Sequence, residues 1–384
     1  MQKMKVYLDN GATTRCDEKV IERMKKIYLK NYGNPSSLHS LGRDAKKEVD
    51  RARKEFANYL KISEEEIIFV ASGSEADNLA IKGLSLAYPE KKHIITSKIE
   101  HPAILRTCED LERNGYEITY LDVNKEGLID IKKLKELLRT DTLVVSIMHA
   151  NNEIGTINDI ESISKICREK NVFFHTDAVQ SLGKVKLNLG NIDLASFSAH
   201  KIHGPKGVGA LYIKKGIRLK SIIKGGGQER GLRAGTENVP GIVGFAEALT
   251  SLSEKEIERI TELRDYFIER VMKEIKEVHL NGPLKERLCN NASISFHYVE
   301  GEGLLYHLDA KGIAVSTGSA CSSKSLQVSH VLRAIGLKHE IAHGTIRFTF
   351  SKYNTKKEID YVIDSLKEIV TNLRKMSPLY PEEK

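Results

Sequence analysis

The sequence has no long apolar run, and that sets its first boundary. No stretch of its 384 residues approaches the ~18 apolar residues a membrane helix needs, and the opening MQKMKVYLDNGATT lacks the apolar core of a signal peptide. The expectation is a cytoplasmic protein with no membrane partner. Paired cysteines are missing too. The five present, Cys16, Cys108, Cys167, Cys289 and Cys321, are odd in number, scattered, and form no C-x-x-C pair. This excludes a disulfide framework and a structural zinc site, so no metal is expected and any interesting cysteine acts alone as a thiol. Internal repeats and low-complexity tracts are absent. The net charge of +8 is spread over runs that mix Lys and Arg with Glu, as in DAKKEVDRARKEF. Such runs are solvated helix faces rather than a nucleic-acid footprint.

What is present is an ordinary globular composition, 40% hydrophobic and 29% charged, in a chain long enough for two domains. From about residue 17 to 250, short β-branched runs alternate with amphipathic segments. Strands are predicted at 66–70, 93–96, 142–148, 172–176 and 209–213, with helices at 41–60, 101–114 and 159–170. This alternation predicts an α/β fold, a mostly parallel sheet covered on both faces, with ligands at the carboxyl ends of the strands. Near residue 253 the texture changes to a charged helix (254–276), a strand (292–296), a helix (303–311), a strand (345–350) and a final helix. The expected division is a large domain over 15–253 and a smaller α+β domain formed by 1–14 with 254–384.

Several residues stand where chemistry would be expected. Asp177 closes the apolar run VFFHTD, so its carboxylate emerges at a strand's carboxyl end; an N-cap or turn aspartate would read the same way. In VASGSEADNLA only the second half has a helical pattern. Ser72, Gly73 and Ser74 therefore fall at a helix N-terminus, suited to a phosphate or to simple capping. His101 sits before Pro102 at a strand-to-helix junction, as a catalyst or as a satisfied polar group. The stretch KGGGQERGLRAGTEN (224–238) has too many glycines for a regular element and reads as an anion-binding or interface segment, or as a flexible loop. STGSACSSKS (316–325) surrounds Cys321 with small residues, no setting for a packed core cysteine, which points to a reactive thiol.

Their order along the chain is more informative than any one of them. A phosphate-type turn at 73, His101, Asp-x-x-Gln at 177–180 and Ser-x-His-Lys at 198–201 suit a pyridoxal-phosphate site. Such a cofactor needs donors for its phosphate, an anion for its ring nitrogen and a primary amine for its aldehyde. In SFSAHKIHGPKG the Gly204-Pro205 pair would stop a helix from running through Lys201.

The sequence resembles the cysteine desulfurases of the NifS/IscS type, fold-type I pyridoxal-phosphate enzymes of the class V aminotransferase family. The likeness runs from YLDNGATT to LRKMSPLY through GNPSSLHS, SGSEADNLAIKG, EHPAIL, HANNEIG, HTDAVQS, SAHKIHGPKG, GGGQERGLRAGTEN and STGSACSS. The resemblance implies Lys201 as the imine-forming lysine, Asp177 at the ring nitrogen, Gln180 at the ring hydroxyl and His101 stacked on the ring to assist proton transfer. It implies Gly73, Ser74, Ser198 and His200 as phosphate ligands, with Thr236 reaching in from the second subunit of a homodimer. Asn152 would serve cofactor and substrate, Asn34 and Arg347 the substrate carboxylate, and Cys321 would accept the sulfur. L-Cysteine would be the substrate and a sulfur-acceptor protein, such as an iron–sulfur scaffold, the partner. Selenocysteine lyases or small aminotransferases of the same fold would share the Lys201 site but would not all need the 316–325 loop, and the retention of Lys201, Asp177, His101 and Cys321 together speaks against a non-catalytic interaction protein that keeps only the fold. The phosphate turn reads Ala-Ser-Gly-Ser-Glu where many relatives have Thr-Ser-Gly-Ala-Thr-Glu, so Ser74 would replace a threonine hydroxyl. The tail after SPLY is shorter than that of IscS-type members, which favours the NifS-like style.

Overall fold

The computed structural model describes residues 4–318 and 328–381. The chain begins with β1 (Val6–Tyr7), α1 (Glu18–Lys30) and α2 (Ser40–Leu60). It then alternates through β2 (Ile67–Val70), α3 (Gly73–Ala87), β3 (His93–Ser97), α4 (Pro102–Arg113), β4 (Glu117–Leu121), α5 (Ile131–Leu137), β5 (Thr142–Ser146), α6 (Ile160–Glu169) and β6 (Phe173–Asp177). Next come β7 (Leu194–Ser198), β8 (Gly209–Ile213), α7 (Val239–Thr250), α8 (Glu254–Glu274), β9 (Val278–Asn281), β10 (Asn291–Phe296) and α9 (Gly301–Ala310). The described chain closes with β11 (Ile313–Ala314), α10 (His330–Ala334), α11 (His339–His343), β12 (Thr345–Thr349) and α12 (Lys356–Met376).

Seven strands form one sheet in the order β2-β8-β7-β6-β5-β3-β4. Every pairing is parallel except the two made by β8, which runs against both β2 and β7. The expected mostly parallel sheet is therefore present, with one reversed strand. Both faces are covered, as the side-chain alternation requires: along β2, Ile67 and Phe69 enter the core beneath α2 and α7, and Ile68 and Val70 enter the core beneath α3 and α4. Phe56 of α2 joins the first of these cores, its ring 6.0 Å from Phe69, 5.9 Å from Phe197 and 4.9 Å from Phe245.

A separate antiparallel sheet, β12-β10-β9, packs under α8 and α12 around Phe267, Phe296, Phe348 and Phe350. Val6 and Leu8 belong to this second core, and β1 pairs in parallel with β11. Residues after β1 must then cross from one core to the other. That crossing lays residues 11–14 against the ends of β6 and β7.

The predicted strands and helices match within a few residues, and the differences have local causes. β5 stops at Ser146 rather than 148 because the N–H of Met148 turns to the carboxylate of Glu100, at 3.1 and 3.0 Å. β7, LASFS, escaped the sequence reading because its serines break the apolar run. They are nonetheless buried: Ser196 Oγ is 3.0 Å from His175 Nε2.

Candidate active site

Five strand ends deliver the site. β2 runs into Ser72, whose hydroxyl accepts the N–H of Glu75 at 3.1 Å and caps α3. β3 leads to His101, whose Nδ1 accepts the N–H of Ala103 at 3.1 Å and caps α4, with Pro102 in the first turn. β5 leads to Met148 and Asn152, β6 ends on Asp177, and β7 ends on Ser198. These five strands point the same way, so their carboxyl ends share one edge, where open α/β sheets bind ligands.

Lys201 is held by a short turn rather than a helix. Ala199–Lys201 forms one 3₁₀ turn directly after β7. The N–H of Gly204 closes on the carbonyl of Ala199 at 3.0 Å, and a β-carbon at residue 204 would stand 2.8 Å from that oxygen. Only glycine lets the chain turn so tightly, and the proline after it ends the turn. No α-helix runs through Lys201, as the Gly204-Pro205 pair led one to expect.

A cavity of about 230 Å³ gathers the residues named from the sequence: Gly73, Ser74, His101, Asn152, Asp177, Gln180, Ser198, His200, Lys201 and Arg347 all line it. Lys201 Nζ donates to the carbonyls of Gly11 and Ala12, each at 2.7 Å, and Gln180 Nε2 donates to Gly11 at 2.9 Å. His200 Nδ1 is 3.2 Å from Thr13 Oγ1. Arg347 enters from β12 in the second core, only 2% exposed, and donates to the Asn152 carbonyl and to Asp9 Oδ1, both at 2.9 Å.

The site's electrostatics follow from burial. Asp177 Oδ1 accepts the N–H of Val179 at 2.9 Å. Burial raises its carboxyl above the usual range, opposed by His101, that hydrogen bond and Lys201. Burial lowers His101, with Asp177 pulling it back up and Lys201 pushing it down. His200 falls to about 4, through burial first and the charge of Lys201 second, so its ring is neutral near pH 7.

Two named residues are placed elsewhere. Asn34 is exposed in the segment between α1 and α2, its side chain accepting the N–H of Ser36 at 2.9 Å. Thr236 is exposed in the glycine-rich segment. Neither lines this chain's cavity. Cys321 lies outside the described residues. The segment around Thr236 also departs from a flexible loop: Glu229 is buried in it, bound to Arg53 and to the N–H of Phe69 at 2.8 Å, and Arg233 pairs with Glu75 at 2.9 Å.

The sequence reading missed other parts of the wall. Gly11 and Ala12 act through backbone carbonyls, which leave no mark on residue type. Asp77 lines the cavity too, with one carboxyl oxygen buried, without a hydrogen-bond partner among the described residues and 3.7 Å from His175 Nε2. Its signal was available, an acid on the buried face of α3.

Comparison with known proteins gives the family. The aminotransferase class-V family profile matches residues 6–362. The chain belongs to the class-V aminotransferase family. A cysteine desulfurase IscS of Dictyoglomus turgidum is 52% identical, covering 100% of this chain and 98% of its own length. The IscS of Methanosarcina thermophila is 50% identical, covering 98% and 95%. Among solved structures, a NifS-like protein superposes with a TM-score of 0.90 at 41% identity, over 96% of this chain and 100% of that one. A NifS-like protein from Rickettsia africae gives 0.87 at 33%, over 96% and 100%.

The family works with pyridoxal 5′-phosphate, and the residues here fit that group. Ser198 Oγ is buried without a partner among the described residues, and the first N–H groups of α3 have no acceptor within their own helix. Gly73 keeps the space between them open, since a β-carbon there would stand 2.7 Å from Val179 Cγ2. An unpaired hydroxyl, a helix N-terminus and a glycine together make a cradle for a phosphate.

Proposed function

We propose that this protein is a cysteine desulfurase, converting L-cysteine to L-alanine and leaving the sulfur as a persulfide on Cys321. The observation that carries the reading is the meeting of Lys201, Asp177 and His101 at one cavity whose wall also holds a buried arginine, Arg347. An amine, an acid and a carboxylate binder in one pocket suit chemistry at the Cα of an amino acid.

Pyridoxal phosphate, when bound, supplies an electron sink for charge developing at the substrate Cα. Gly73, Ser74, Ser198 and His200 would hold its phosphate, Asp177 its ring nitrogen and Gln180 its ring oxygen. A positive ring nitrogen beside Asp177 favours the ionised carboxylate, offsetting the burial that raises its pKa. Lys201 would hold the cofactor and, once displaced by the substrate amine, take the Cα proton. His101 would assist proton transfer, and Arg347 with Asn152 would orient the substrate carboxylate. In the sulfur step a bond forms between Cys321 Sγ and the substrate sulfur while the substrate C–S bond breaks. Its electron pair stays with carbon and takes up a proton, so one thiol and one cysteine give one persulfide and one alanine.

Asn34 and Thr236 are proposed to serve the cavity of a second copy, which makes the enzyme a homodimer. Exposed Tyr28, Leu29, Tyr32 and Leu38 surround Asn34 in sequence and suit such a contact. The large unit is proposed as 15–253, with 1–14 and 254–384 forming the small one. The persulfide would pass to an acceptor protein such as an iron–sulfur scaffold, in the cytoplasm; among the described residues no helix is long and apolar enough to cross a membrane.

The test is the holoenzyme's visible spectrum together with its products from L-cysteine. Equimolar alanine and enzyme-borne sulfur are expected. Transamination without sulfur transfer would overturn the reading in favour of an aminotransferase.

A further inference from the structure

Glu153 is 2% exposed, yet its carboxylate takes no part in the cavity. Burying a carboxylate costs several kcal/mol unless polar partners compensate. Its described side-chain partner is one hydroxyl: Ser329 Oγ donates to Oε2 at 2.5 Å. The same oxygen abuts Gly318, where a β-carbon would come within 3.2 Å of it. Gly318 has φ +113°, a conformation that disfavours a side chain independently of that contact. A single carboxylate oxygen therefore faces residues on both sides of Cys321, at 318 and at 329.

The rest of the surroundings fixes these groups against the cavity. The N–H of Glu153 donates to Asn151 Oδ1 at 2.9 Å, and its carbonyl accepts from Asn291 Nδ2 at 3.1 Å. Val328 and Ile154, the sequence neighbours of Ser329 and Glu153, share an apolar cluster with Met148 and Leu332. On the other side, Ser316 exchanges backbone hydrogen bonds with Arg347, at 2.7 and 3.3 Å, and Arg347 donates to the carbonyl of Asn152. Residue 152 thus faces the cavity while residue 153 holds the chain that flanks Cys321.

We propose that Glu153 is a positioning residue, its carboxylate tying Ser329 beside Gly318 and so holding the two ends of the segment that carries Cys321. This rests on the desulfurase reading. It assigns Glu153 to the sulfur-transfer half of the reaction only, because Lys201, Asp177 and the phosphate cradle line the cavity and Glu153 does not. Loss of the tie should slow persulfide formation without loosening cofactor or substrate.

The experiment compares holoenzyme variants Glu153→Ala, Glu153→Gln and Ser329→Ala with wild type. Three quantities are read: cofactor affinity, the spectral change on adding L-cysteine, and the rate at which Cys321 gains one sulfur, followed by alkylation and mass spectrometry. In Glu153→Ala the first two should stay within about threefold while the persulfide rate falls at least tenfold. Ser329→Ala should fall several-fold in the same quantity. Glu153→Gln should recover much of the loss, because its carbonyl still accepts from Ser329. A normal persulfide rate in Glu153→Ala would overturn the proposal, as would a parallel loss of cofactor affinity and persulfide rate. If Glu153→Ala does not fold, an unchanged rate in Ser329→Ala overturns it instead. Failure of the desulfurase reading would look different, since wild-type Cys321 would then gain no sulfur.

Discussion

At the residue scale, thiols are separated by their surroundings. Cys108 and Cys167 are buried and their pKa values are pushed up to about 12; burial raises Cys289 as well. Such thiols are protonated at neutral pH and are poor nucleophiles. Cys16 is half-buried, its pKa also raised by burial. Changing each of these four to alanine should leave turnover within a few-fold of normal, measured as alanine release. Cys321→Ala should lose alanine release by orders of magnitude while keeping the cofactor's absorption, since none of the cavity residues among those described lies in 316–325. Near-normal turnover in that variant, with sulfide released directly, would move the enzyme to a persulfide-free lyase. Glu100 gives a second test at this scale. Burial raises its carboxyl to about 8, against the hydrogen bonds from Ser97 and Met148. Between pH 4.5 and 8 the folded chain holds a proton there that the unfolded chain releases, so this contribution to stability falls as pH rises. The histidines lowered to about 4, His149, His200 and His203, contribute an opposite slope, but only below about pH 6.5. From pH 6.5 to 8, Glu100→Gln should therefore lose stability less steeply than wild type in urea titrations. Equal slopes would show that Glu100 is ionised in the fold.

At the element scale, the glycine-rich segment is held by one acid. Glu229 and Arg230 have φ of +44° and +57°, a backbone strain that persists only where surroundings enforce it. Glu229 provides the enforcement, pairing with Arg53 of α2 and with the N–H of Phe69 in β2. Glu229→Ala leaves a buried guanidinium without its carboxylate and should cost about 3–5 kcal/mol of stability, read from the urea midpoint. A change under about 1 kcal/mol would mean the segment is held by something else. This is where the sequence was hard to read. A run of glycines reports backbone freedom, whereas the anchor comes from a helix and a strand more than 150 residues earlier. β7 was hidden for a related reason: its serines look like surface residues until His175 and Asp177 are placed beside them. By contrast α2 and α6 were legible, because their apolar spacing is a local property of the chain.

At the scale of the whole molecule, the proposed second copy is the strongest expectation. Because Thr236 is exposed and absent from its own chain's cavity, a dimer would give tighter cofactor binding than a monomer. Sedimentation should find a dimer, and Thr236→Ala should weaken cofactor affinity several-fold without changing the sedimentation coefficient. A monomer with full cofactor occupancy would remove both Thr236 and the dimer from the mechanism. The cavity itself joins the two cores, with Asp177 on the large sheet, Lys201 on the turn that follows β7 and Arg347 on the small sheet. Residues 11–12, which cross between the cores, accept from Lys201.

The sequence by itself pointed to the chemistry. A phosphate turn, His101 and Asp177 stand at or just beyond predicted strand ends and Lys201 follows in Ser-x-His-Lys, a set that suits the cofactor's needs for phosphate donors, an anion and an amine, and parallel strands bring their carboxyl ends to one edge whatever the helices between them do. It also determined the α/β class, since periodicity is written into each segment. The tertiary structure decided what depends on distant partners. It selected backbone carbonyls of Gly11 and Ala12 as the acceptors for Lys201, buried Asp77 beside Asp177, fixed the glycine-rich segment through Glu229, and set Glu153 between Gly318 and Ser329. Each of these is a contact between residues far apart in the chain, and such contacts are defined only when the strands have paired and the two cores have closed.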